Sequence, residues 1–158
     1  MLKTLWVDYR ASTALVITGH KRFREAGVVV ETDTVSTFVE ATLAMLQRDE
    51  ISMAATVALS PAMITEPIQW VFNILPAFDS DFAAVMDWLK TNWTGARPPR
   101  VGLIVYDTAG ACIALEAKDY APKIGVEFVG YEVVPISGVI DTSTEWLRLA
   151  AKKPDLIY

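Results

Sequence analysis

One cysteine, Cys112, and one histidine, His20, occur in the whole 158-residue chain. A single cysteine excludes an internal disulfide. The two residues lie at unrelated positions, so no His/Cys metal cluster can be assembled from them. The phosphate motifs are missing as well. There is no G-x-x-x-x-G-K-[ST] cradle, which leaves the D-x-x-G spacing of Asp107-Thr108-Ala109-Gly110 without its partner for nucleoside triphosphate chemistry. No G-x-G-x-x-G follows a strand and no G-x-S-x-G elbow presents a nucleophile. Basic charge is short, with 14 Lys+Arg against 19 Asp+Glu and a net charge of −5. Electrostatic binding to nucleic acid or an anionic membrane surface is therefore disfavoured. The apolar runs, such as 51–59 and 101–106, are too short to span a bilayer. The opening MLKTLWVDYR has no long apolar core before a cleavage site and does not read as a signal peptide. The expectation is no catalytic residue, no cofactor and no metal.

What is present is a chain rich enough in apolar residues to fold, 53% hydrophobic against 21% charged. Short apolar runs alternate with helical periods. Strands are expected at Thr4–Tyr9, Val28–Glu31, Ile51–Val57, Trp70–Leu75, Val101–Tyr106, Glu127–Val134 and Asp155–Tyr158. Helices are expected from about Ser12 to Ala26, with Gly27 as the stop, and after a cap at Asp33 or Thr34. The clearest helix places Phe78, Phe82, Val85, Met86 and Leu89 on one face. Two more follow at about Ala109–Ile124 and Thr142–Ala151, the last with Thr142 and Glu145 at capping-box spacing. The stretch TGARPPR reads as a flexible linker, dividing the chain into 1–94, a crossover at 95–100, and 101–158. Strand-helix-strand alternation on both sides of it argues α/β with parallel sheets, in which ligands bind outside the carboxyl ends of strands.

Several residues invite a chemical reading and have a plainer one. His20 sits mid-helix beside Lys21 and Arg22 and reads as a solvated position, not a base. Cys112 lies on the inner stripe of its helix and reads as a small buried hydrophobe. Asp79, Asp81 and Asp87 surround a helix start and its outer face, where capping and solvation explain them. Trp70, Trp88 and Trp93 read as packing helix against sheet near the linker.

An ordered series of short motifs adds a resemblance. Arg100–Asp107 with Gly110, Gly125–Glu127, Glu132–Pro135, Asp141–Ser143 and Lys153–Tyr158 resemble the solute-binding proteins of ABC transporters for branched-chain amino acids and related small molecules. The segments GVVVETDTVSTFVEA, ALSPAMITEP and WVFNILPAFDSDFAAVMDWL resemble the second half of lobe one of the same family. The resemblance implies the type I periplasmic-binding fold, with flavodoxin-like lobes and a chain incomplete at both ends. It also implies a non-enzymatic, periplasmic role with a small-molecule ligand and transporter membrane subunits as partners. Ligand contacts are implied at Thr32, Asp33 and Thr34, at Ala58, Leu59 and Ser60, and at Asp107, Thr108, Ala109 and Gly110. Ala109 stands where the family carries a ligand-stacking aromatic. With part of the cleft absent, binding is expected to be weak or lost, and open strand edges are expected to drive formation of a homodimer or larger assembly. The alternatives are a self-associating remnant without ligand and, less favoured, a nucleotide-binding or enzymatic α/β domain.

Overall fold

The computed structural model describes residues 3–56, 60, 63, 70–138 and 141–158. The fold is α/β, with two compact units, Met1–Leu75 and Pro76–Tyr158, each built on a three-stranded parallel sheet.

In the first unit, helix α1 (Thr13–Glu25) is closed by Gly27 at φ 74°, a left-handed conformation that costs glycine little. Val28 N–H then bonds back to Phe23 O, so the following strand starts after Val28 and not at it. Strand β1 (Val30–Asp33) leads into α2 (Ser36–Asp49), whose end at Glu50 turns left-handed and bonds to Leu46 O. Strands β2 (Ser52–Ala55) and β3 (Val71–Asn73) complete a sheet of order β1-β2-β3. Val39, Leu46, Ile51, Met53, Ala55, Met63 and Val71 form the core between α2 and the sheet.

The stretch Thr4–Tyr9 does not join this sheet, contrary to its strand-like pattern. It runs as irregular chain along α1, with Val7 against Gly19. Tyr9 packs edge-on to Phe38 at 4.8 Å. Contact with helices, not backbone pairing, uses its alternate apolar residues.

The second unit begins with α3 (Phe78–Thr91), then β4 (Arg100–Tyr106), a helical turn α4 (Ala109–Cys112) and two 3₁₀ stretches at Ile113–Asp119 and Ala121–Ile124. β5 (Glu127–Val134), α5 (Ser143–Ala150) and β6 (Leu156–Ile157) follow, with sheet order β5-β4-β6. Phe82, Met86 and Leu89 of α3 are buried with Val101, Leu103 and Val105 of β4 in one core. The division at 75/76 therefore precedes the one expected at 95–100, because the apolar face of α3 packs on the second sheet.

The proline-rich stretch is correspondingly fixed within that unit. Arg97 makes two 2.7 Å bonds to Asp155, and Arg100 N–H donates to the same carboxylate at 2.8 Å. The Arg97 guanidinium also lies over the Trp93 ring at 5.3 Å. These contacts pin residues that the composition marks as a flexible crossover. Trp88, by contrast, is exposed. The long helix expected at 109–124 is broken into short pieces, with Pro122 unable to donate within it. The start of α5 is bonded by Asp141, which accepts from Ser143 N–H at 2.8 Å, and Thr142 makes no side-chain cap.

Candidate functional site at the carboxyl ends of the strands

Parallel pairing brings particular residues level with one another. In the first unit Asp33 lies opposite Ala55, and Ala55 opposite Asn73. One row at the carboxyl edge thus contains a carboxylate, a methyl and an amide. Asn73 Oδ1 is buried without a hydrogen-bond partner among the described residues, and so is the hydroxyl of the fully buried Ser60. Asn73 was missed in the sequence. Its signal, a polar residue at the end of the apolar run WVFNIL, becomes visible only once the register is known.

Asp33 is the most committed of the predicted residues. Its Oδ1 accepts from Thr34 N–H at 2.6 Å, Val35 N–H at 3.0 Å and Tyr9 O–H at 3.2 Å. It therefore closes the start of α2 itself, and the N–H groups of Thr34 and Val35 already have a partner. Burial pushes the Asp33 carboxyl above its ordinary range, against the lowering effect of those three bonds. Thr32 is exposed and donates its hydroxyl to Ala54 O at 3.0 Å, while Thr34 is exposed at the bend. Ala58 and Leu59 lie outside the described residues.

In the second unit Asp107 follows β4 with its side chain exposed and its N–H donating to Val134 O at 2.8 Å. Thr108 caps α4, its hydroxyl accepting from Ala111 N–H at 3.2 Å. Ala109 is exposed and Gly110 buried. The turn is a tight strand-to-helix connection whose one uncommitted polar side chain is Asp107.

A second polar cluster lies off this edge. His20 is 1% exposed, so the solvated position expected for it is wrong. Its Nδ1 stands 2.9 Å from Glu31 Oε1 at ion-pair distance, without hydrogen-bond alignment, and its Nε2 is 3.0 Å from Asp49 Oδ2. Two carboxylates on neighbouring elements justify burying the ring. Burial raises the Glu31 carboxyl, with His20 opposing, whereas the hydrogen bond from Arg48 holds Asp49 well below the usual carboxylate range.

Among the described residues no group of three or more His, Cys, Asp or Glu side chains could hold a metal ion, and no helix is long and apolar enough to cross a membrane. Two parallel-sheet α/β units in series, with polar loops at their carboxyl edges, define the type I periplasmic-binding-protein fold. Solved structures share it across nearly the whole chain. A fatty acid ABC transporter substrate-binding protein from Thermomonospora curvata superposes with a TM-score of 0.82 at 15% identity, over 98% of this chain and 39% of that one. An ABC transporter solute-binding protein from Rhodopseudomonas palustris BisB5, in complex with 3,4-dihydroxybenzoic acid, matches with a TM-score of 0.80 at 17% identity, over 99% and 43%. A branched-chain amino acid ABC transporter protein from Thermus thermophilus with bound valine matches with a TM-score of 0.75 at 14% identity, over 95% and 39%. The chain thus spans about two fifths of the length of these proteins. The first two of these neighbours are named as substrate-binding or solute-binding proteins. No protein-family model matches the chain, and no curated protein matches it.

Proposed function

We propose that the chain is part of a solute-binding component of an ABC transporter for branched-chain amino acids or related small molecules. It would be non-enzymatic and would serve outside the cytoplasm with the transporter's membrane subunits. The observation that carries this is the fold likeness to substrate-binding proteins over 98% of the chain. The proposed contacts are Thr32, Asp33, Thr34, Ala58, Leu59 and Ser60 on the first unit and Asp107, Thr108, Ala109 and Gly110 on the second. Asn73 joins them, since its buried oxygen has no partner among the described residues. Asp107, exposed after β4, would favour the ammonium end of an amino acid over its carboxylate.

Binding should be weak, because a chain with two fifths of its neighbours' length supplies only part of the surface that would enclose a ligand. Calorimetric titration with leucine, isoleucine, valine and 3,4-dihydroxybenzoate should give dissociation constants above about 100 μM, or about −5.5 kcal/mol. Submicromolar affinity would overturn the weak-binding part. No heat at millimolar ligand would overturn solute binding altogether and leave the alternative, a self-associating remnant, which the exposed apolar side chains beside β3 favour.

A further inference from the structure

His20 is held from two sides. Its Nδ1 stands 2.9 Å from Glu31 Oε1 on β1, and its Nε2 stands 3.0 Å from Asp49 Oδ2 at the end of α2. The ring is 1% exposed and the two carboxylate side chains 6% each. Three elements thus meet at one imidazole that water barely reaches. The protons on these groups do not suffice for the contacts. A neutral imidazole carries one N–H, and an ionised carboxylate carries none. Two N···O contacts of this length need a proton each. With one proton, a ring nitrogen would turn its lone pair toward a carboxylate oxygen in a site without water to intervene.

The second proton comes from solvent, and it resides on the ring or on Glu31. Asp49 is not its seat, because Arg48 donates to both its oxygens at 2.7 and 2.6 Å and Arg24 stands 3.6 Å away. Burial raises the Glu31 carboxyl above its ordinary range, which agrees with a proton held at that end. The surrounding charges decide which contact the proton guards. Asp49 keeps its two arginines when the ring is neutral. Glu31 has His20 as its one cationic partner among the described residues. Asp33, the next buried residue of β1, is a second carboxylate on the same face. Loss of the proton therefore leaves Glu31 charged, buried and unpaired. The contact that breaks is the one between α1 and β1, while α1 stays tied to α2 through Asp49.

We propose that His20, Glu31 and Asp49 form a buried proton-binding site that latches α1 to β1. Above neutral pH the folded chain holds there one proton that the same groups release on unfolding, and losing it as pH rises opens that seam. The latch does not rest on solute binding at the strand ends. Its sign follows from linkage: a proton bound only by the folded chain favours folding while it is bound, and that contribution is lost as pH rises.

Proton uptake on refolding from urea, read with a pH indicator in weak buffer at about pH 7.5, should approach about one per chain in the wild type. Glu31→Gln offers the neutral ring an amide N–H of its own, so it should abolish most of the uptake with α1 still docked. Asp33→Asn should leave the uptake in place. Because His20 is the single histidine, its ring ¹⁵N resonances report the proton without ambiguity. Amide exchange along α1, corrected for its intrinsic pH dependence, should accelerate by about ten-fold per pH unit once the proton leaves the wild type, and should not do so in Glu31→Gln. Uptake that persists in Glu31→Gln, or that disappears in Asp33→Asn instead, would overturn the proposal. So would exchange in α1 that stays independent of pH, since the site would then latch nothing. No uptake by the wild type would overturn it whether or not the variants fold.

Discussion

His20 shows why the residue scale was the least legible in the sequence. Its neighbours Lys21 and Arg22 suggest a wet helix face, yet the ring is buried because Glu31 and Asp49, from two other elements, converge on it. Nothing local announces a partner eleven or twenty-nine positions away. The cluster also sets a pH dependence. Every charged group facing it matters: Glu31, Asp33 and Asp49, with Arg24 and Arg48 on the Asp49 side. The folded-state values of Glu31 and Asp33 are raised, so their contributions are fully present below the ordinary carboxylate range and are lost as pH rises through the folded values. Asp49 is depressed, so its contribution persists above the ordinary range and is lost only as pH falls through its low folded value. Glu31→Gln keeps the side-chain shape and removes one of the two raised groups. In urea denaturation at a series of pH values, the variant should gain on the wild type as pH rises above the ordinary carboxylate range. Parallel stability curves would show that the ionised Glu31 carries no burial penalty.

At the scale of elements the sequence was far more informative. β5 spans Glu127–Val134 as its pattern indicates, and α1, α3, α5 and β4 fall within a residue or two of expectation. Long periodic segments carry their own signal because burial of one face dictates their spacing. Apart from the helix broken at Pro122, the larger failures share a cause, which is that packing decided between forms the pattern leaves equal. Residues 4–9 lie on α1 instead of pairing, and α3 joins the sheet that follows it. Of the candidate site residues, Thr32 and Asp33 lie within β1 and Asp107 follows β4, while neither Asn73 nor the self-capping by Asp33 is legible in the pattern. Gly102 tests how closely the elements of the second unit are fitted. A methyl group there would stand 2.9 Å from Leu149 Cδ1, and Leu149 is fully buried. Gly102→Ala should cost about 1–3 kcal/mol by forcing α5 off β4. Leu149→Ala alone should cost about 2–5 kcal/mol through the void it leaves. The double variant should be less destabilised than the sum by more than about 0.5 kcal/mol, since one change makes room for the other. Strict additivity in chemical denaturation would show that α5 does not press on Gly102.

The whole molecule has to manage its open edges. β3 pairs with β2 on one side and with no other strand among the described residues. The bonds from Met53 N–H to Trp70 O and from Ile74 N–H to Ala55 O show that alternate residues of this stretch face β2. The peptide groups of Val71 and Asn73 therefore point to the free side. Phe72 is 58% exposed, Ile74 62% and Leu75 52%, an apolar strip beside an unpaired edge. Strips of this kind invite association unless another chain covers them, and closed pairing of identical copies satisfies both partners at once. We therefore expect a homodimer joined along the β3 side, burying on the order of 2,000 Å² of largely apolar surface. Sedimentation velocity at low micromolar concentration should give about twice the 17.4 kDa chain mass. The dimer should survive Val30→Pro, which acts at the opposite edge of the sheet, and should weaken when Phe72 and Ile74 are replaced by threonine. A cooperative, concentration-independent monomer would show that the chain covers this strip by itself, and would remove self-association from the account.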